Sequence, residues 1–154
     1  MTGHVIVLER EIKASPERIW DVLTNVERAG MVLTSVAGVE MMTKGPYDVG
    51  TRWQEERTRF GNKAVESYEV IEADAPRHTV VQATVGHDKV RTSWALTPHT
   101  ESTHLVMTMV SDTSERSLGG KISHALFGQG DLASTRAMLN HDLDEIAAAA
   151  ESAD

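Results

Sequence analysis

Ser15-Pro16-Glu17-Arg18-Ile19-Trp20-Asp21-Val22-Leu23 carries the signals of a helix start. Ser15 can accept a hydrogen bond from an otherwise orphaned backbone N–H. Pro16 suits the first helical position because its missing N–H has no partner there in any case, and Glu17 favours the positive end of the helix. Ile19, Trp20, Val22, Leu23 and Val26 then recur at helical spacing and supply an inward stripe. Gly30 interrupts the pattern, leaving a short second helical piece or loop across residues 27–34.

Working outward from this helix, residues 4–13 read as a strand, with Val5, Ile6, Val7 and Leu8 giving way to Glu9, Arg10 and Glu11. Downstream, strands dominate. Val36–Thr43 is closed by the turn from Lys44 to Gly50, and Thr51–Phe60 and Lys63–Ala73 form a hairpin around Gly61-Asn62. Thr79–Val85, Lys89–Thr97 and Thr103–Ser111 follow at short intervals. Strands so closely spaced must pair antiparallel, since parallel pairing needs a crossover of a dozen residues or more. The end is helical. Leu118, Ile122 and Leu126 fit a short helix, and Leu132, Leu139, Leu143 and Ile146 fit a longer one over residues 131–151, where Ala147–Ala150 adds propensity. With no internal repeat or linker, residues 1–154 read as one domain.

The composition excludes several function classes. The 154 residues contain no cysteine, so a disulfide scaffold, a Cys-zinc site, an iron–sulfur cluster and a thiol nucleophile are out. Fifteen basic against 23 acidic residues leave no clustered basic face for nucleic acid. No apolar run approaches the ~18 residues of a membrane span, and the first ten residues lack the layout of a signal peptide. A soluble cytoplasmic domain is the expectation. The acidity is concentrated in residues 131–154, where six acidic residues oppose Arg136 alone, and the plain reading is a solvated helix face. Seven methionines against seven aromatics suit ordinary adaptable core filling. The seven histidines are scattered without an HExxH arrangement, and no GxSxG, GxGxxG or Walker sequence occurs, so neither metal nor cofactor is expected.

The order strand, helix pair, six strands, long helix has a physical logic. A twisted antiparallel sheet of about seven strands can curl around one long helix and bury its apolar stripe, an α+β architecture. Several segments carry a resemblance. Ile12 through Leu23 is similar to the opening of the START-like superfamily, also called SRPBCC or Bet v 1-like. Val49-Gly50-Thr51-Arg52-Trp53, Tyr68 through Arg77, Thr92 through Pro98 and Asp142-Leu143-Asp144-Glu145-Ile146 agree with it. The likeness covers nearly the whole chain and is closest to the polyketide cyclase/dehydrase-type branch. It implies a helix-grip fold with a deep cavity for an apolar or amphipathic small molecule, and it does not by itself imply an enzyme. Where many relatives carry a Tyr-Pro-x-Trp-like signature, this chain has Arg28-Ala29-Gly30-Met31-Val32-Leu33, which implies a differently shaped cavity mouth.

The candidate site residues lie on the strands and the last helix. In Thr51–Arg59 the only large apolar side chain is Trp53. One register turns Trp53, Glu55, Arg57 and Arg59 inward, the other Gln54, Glu56 and Thr58. Polar groups face the helix either way, which is costly without partners. Either they line a wet cavity in which Glu55 and Arg57 orient a ligand, or, as the plainer reading, the strand reaches past the helix and both faces meet water. On the next strand Glu66, Tyr68 and Val70 share one face and Val65, Ser67, Glu69 and Ile71 the other, which leaves the register open by alternation alone; the family pattern implies Tyr68 and Val70 inward. Tyr68 can donate to a carbonyl or quinone oxygen, although filling space is its plainer role. Trp94 shares a face with Val90, Thr92 and Leu96, so Trp53 and Trp94 can form an aromatic wall or simply pack a core. Met107 on the last strand and Leu139 on the long helix complete the candidate lining.

Three functions are compatible with this reading. The first is binding of a hydrophobic or amphipathic small molecule, for transport or sequestration, in a cavity on the order of 300–1,000 Å³. The second is a polyketide aromatase/cyclase or dehydratase, with Arg57 and Tyr68 polarising a carbonyl and Glu55 shuttling a proton. The third is a co-chaperone-like interaction module, which calls for an exposed apolar patch in place of a deep pocket.

Overall fold

The computed structural model describes residues 3–59, 61–85, 88–112 and 132–152. The elements follow in the expected order: β1 (Gly3–Ile12), α1 (Pro16–Thr24), a 3-10 turn (Val26–Arg28), α2 (Ala29–Val32), β2 (Val36–Met41), β3 (Arg52–Arg59), β4 (Asn62–Asp74), β5 (His78–Val85), β6 (Asp88–Pro98), β7 (Thr103–Asp112) and α3 (Leu132–Ser152). The expected short helix around Leu118, Ile122 and Leu126 lies outside the described residues. Ser15 caps α1 as its side chain allows, its Oγ accepting from the Arg18 N–H at 3.2 Å with Pro16 in the first turn.

The seven strands form one antiparallel sheet in the order β1-β7-β6-β5-β4-β3-β2. Gly61, at φ 82°, adopts the left-handed backbone that the β3–β4 connection requires, and Arg59 pairs with Asn62 beside it. Asn62 therefore belongs to β4 and not to the turn. Register shifts at Val36/Gly38 and at Val70/Glu72 add a residue to one strand of a pair, which bends and twists the sheet locally.

The concave side of this sheet holds α3. Thr135, Leu139, Asp142, Leu143, Ile146, Ala147 and Ala150 recur at helical spacing, and all are buried. Their apolar members pack with Ile6, Leu8 and Ile12 of β1, with Leu96 of β6 and Leu105 of β7, and with Ile19 of α1. Each fully buried leucine or isoleucine contributes about 1.5–3 kcal/mol from the area it removes from water. A second, smaller cluster of Val26, Trp53, Val70 and Val81 lies toward the β2–β5 side. Between the two clusters lie the polar residues described below.

Of the acidic residues of α3, Asp144 and Glu151 are exposed as expected, whereas Glu145 is half-buried and Asp142 departs from the solvated face. Asp142 points inward at 7% exposure. Asp144 pairs with Arg10 of β1, the Glu145 Oε1 accepts from the Thr34 N–H at 3.0 Å, and the Glu151 Oε2 accepts from the Lys13 N–H at 2.9 Å. These bonds tie the helix to both ends of the β1–α2 segment. The helix periodicity that buries Leu139 and Leu143 necessarily carries Asp142 to the same side.

Candidate functional site

The open register of β3 resolves with Trp53 and Glu55 buried and Arg57 mostly so, its side chain 11% exposed, while Thr58 faces solvent. The plainer expectation, a strand extending past the helix with both faces wet, is corrected: β3 lies over α3, and partners for its charges make their burial tolerable. On β4 the inward face carries Glu66, Tyr68 and Val70, with Val65, Ser67 and Glu69 outside. Thus Glu66, absent from the expected site, is buried at 1% exposure.

Pairing places Trp53 opposite Tyr68 and Glu55 opposite Glu66. The first pair stacks, with ring centroids 5.4 Å apart and planes 3° from parallel. Two carboxylates directly opposite one another are destabilising unless each is compensated. Here the Glu55 Oε1 accepts from Trp53 Nε1–H at 3.0 Å and its Oε2 from Arg57 Nε–H at 2.9 Å. The Tyr68 hydroxyl donates to the Glu66 Oε1 at 2.5 Å.

Arg57 reaches across the interior to α3, with Nη1 3.4 Å from the Asp142 Oδ2, and the Ser35 hydroxyl donates to the Asp142 Oδ1 at 3.2 Å. Burial alone opposes the charge on Arg57. The Tyr68 phenol and the Glu55 and Asp142 carboxylates outweigh it and hold the guanidinium above its ordinary pKa. It is a permanent cation clamped between two carboxylates.

These groups line a cavity of about 140 Å³ bordered by the sheet, α1, α2 and α3. Trp53, Glu55, Arg57 and Tyr68 border it on one side, and Trp94, Met107 and Leu139 on the other. All seven candidate residues therefore meet at one space. Its volume lies below the expected range.

The aromatic lining has members beyond the expected Trp53 and Trp94. Trp94 sits on β6, three strands from β3, and pairs across strands with Met107 and Thr79. Tyr47, Trp53 and Tyr68 border the cavity in one run, with successive centroids 6.4 and 5.4 Å apart, and Trp20 packs edge-on against Tyr47 at 6.1 Å behind them. Tyr47 lies in the β2–β3 connection, where periodicity says nothing about direction. Its hydroxyl is 2.7 Å from the Thr79 Oγ1, and burial, opposed by that bond, raises its pKa. The residues that sequence reasoning missed are Asp142, Glu66, Tyr47 and Thr79. Asp142 had a signal in its place on the stripe of Leu139, Leu143 and Ile146, and Glu66 had one in sharing the strand face of Tyr68 and Val70.

No helix among the described residues is long and apolar enough to cross a membrane. No match to a curated protein is found. Solved structures with the same fold include ginseng major latex-like protein 151 from Panax ginseng, with a TM-score of 0.74 at 12% identity, covering 95% of this chain and 96% of that one. A START superfamily protein from Mycobacterium smegmatis gives 0.72 at 14%, covering 94% and 95%. Zhui aromatase/cyclase from Streptomyces sp. R1128 gives 0.71 at 19%, covering 97% and 94%. At such identities the likeness is one of fold. The fold is the START or Bet v 1 helix grip, and residues 4–151 match the model of one family within it. The chain belongs to the polyketide cyclase / dehydrase and lipid transport family.

Proposed function

We propose that the chain binds a hydrophobic or amphipathic small molecule in the cavity between the curved sheet and α3. The observation that carries this reading is the makeup of that space. An apolar and aromatic lining surrounds a few fixed polar groups, the usual composition of a small-molecule site. The Trp53–Tyr68 stack offers a flat apolar surface, and Arg57, Glu55 and Asp142 offer hydrogen bonds at fixed positions. Family membership supports the same reading, with transport or sequestration as its outcome. Native mass spectrometry of the protein purified from its own host tests it. A retained small molecule of constant mass, lost on denaturation, is expected, and a bare polypeptide mass in every preparation counts against it.

A second reading is favoured by one observation. The Tyr68 hydroxyl borders the cavity, bonded to a buried carboxylate and close to Arg57, as an acid–base group would be. In an aromatase/cyclase or dehydratase reaction, Arg57 and Tyr68 would polarise a substrate carbonyl and Glu55 would accept a proton. Tyr68→Phe separates the two readings, since it abolishes turnover in the second and leaves occupancy largely intact in the first.

A further inference from the structure

The cavity's charged groups constrain which polar end a ligand can bring. Glu55 and Asp142 flank a single guanidinium, so this triad carries a formal charge of −1. All three side chains are 11% exposed or less, and screening by water is correspondingly weak. Arg57 already directs Nε–H at Glu55 and Nη1 at Asp142. An incoming carboxylate or phosphate must displace one of these carboxylates or lie beside both. A proton donor meets the opposite situation. A carboxylate has about four lone-pair sites, and the bonds from Ser35 and Arg57 use two on Asp142.

From this arrangement we infer that the cavity selects amphipaths whose polar end is a hydrogen-bond donor, an amine or a hydroxyl, and rejects those ending in a carboxylate or phosphate. This rests on the small-molecule reading above and names the ligand class for that site. The Trp53–Tyr68 stack receives the apolar part, and the Asp142 and Glu55 carboxylates receive the donor. Two of the carboxylate bonds come from other parts of the fold, Ser35 before β2 and Arg57 on β3, so the acceptor oxygens are held in place before a ligand arrives.

A matched series tests it: 2-naphthylmethylamine, 2-naphthalenemethanol and 2-naphthoate, titrated calorimetrically at pH 7 into the full chain. The amine and the alcohol bind, and 2-naphthoate binds at least about tenfold more weakly. The net charge of −8 also attracts cations, so two variants separate cavity from surface. Asp142→Asn narrows the amine-to-naphthoate gap, whereas Asp21→Asn, an equal charge change at an exposed position on α1, leaves it unchanged. If Asp142→Asn fails to fold, Glu55→Gln serves the same purpose. Naphthoate binding as tight as the alcohol, or a gap indifferent to both cavity variants, overturns the charge selection while small-molecule binding stands. Absence of binding by all three overturns the binding reading and this inference with it.

Discussion

Glu55 of β3 and Glu66 of β4 face each other directly across the sheet, both almost completely buried. Each carboxylate is bound by groups of its own, Glu55 by Trp53 and Arg57 and Glu66 by Tyr68, which offsets the cost of the pairing. The interior polar groups are therefore a set in which each member depends on another.

Arg57 is the member with most dependents. Arg57→Ala leaves Glu55 and Asp142 without their shared cation and is expected to cost about 3–5 kcal/mol, measured by urea unfolding. Replacing the whole triad by uncharged residues of similar volume, Arg57→Met with Glu55→Gln and Asp142→Leu, recovers most of that loss. A single variant with near-wild-type stability contradicts the burial of the triad.

Tyr68→Phe distinguishes a space-filling tyrosine from a bonded one. The ring, and hence the stack on Trp53, is retained, but the donor to Glu66 is gone. Loss of a bond to a charged group costs about 1.5–3 kcal/mol, whereas space-filling alone predicts almost no change on losing the hydroxyl.

The sequence makes the element order legible because capping, helical spacing and strand alternation act locally. Ser15-Pro16-Glu17 marks its helix, and Val90, Thr92, Trp94 and Leu96 alternate cleanly on β6. In β3 that signal is missing: charged residues occupy both faces, so alternation gives no direction until Trp53 and Tyr68 are known to be opposite one another. Asp142 looks like one more solvated acid among its neighbours, and its burial is made tolerable by distant partners, Arg57 from a strand 85 positions earlier and Ser35. Tyr47 and Thr79 come together by tertiary packing across 32 residues, which no local pattern carries.

A surface cluster sets a pH dependence of its own. His104 bonds Glu9 through Nε2 at 2.8 Å and Glu11 through Nδ1 at 3.1 Å, and His99 bonds Glu11 at 2.9 Å beside Ser102. The bonds to Glu9 and then Glu11 raise the His104 pKa above its ordinary 6.5, against slight desolvation. Its stabilising contribution is complete below 6.5 and is lost as pH rises through the raised value. The Ser102 bond leads the causes that lower the Glu11 pKa, so that contribution is present above 4.5 and disappears as pH falls through the lowered value. Thermal unfolding of wild type and His104→Asn should therefore show a difference that shrinks as pH rises from about 5.5 to 8. A difference constant across that window excludes the histidine as its source.

Leu143 and Leu139 separate core from cavity on one helix. Leu143 is 1% exposed within the main cluster, and Leu143→Ala should cost about 2–5 kcal/mol. Leu139→Ala also destabilises, but it enlarges a space already bordered by this residue, and binding of bulkier naphthalene derivatives is expected to improve. Calorimetric titration of both variants checks the distinction; improvement in neither removes Leu139 from the cavity wall.

The most direct measurement is an amide, indole and guanidinium N–H spectrum recorded during titration with 2-naphthalenemethanol. Expected are concerted shifts of the Trp53 Nε1–H and Arg57 Nε–H resonances, the two donors fixed on Glu55 beside the cavity. Shifts confined to residues on the outer faces of β3 and β4, such as Gln54, Ser67 and Glu69, with both donors unmoved at saturation, contradict binding in the space between sheet and helix.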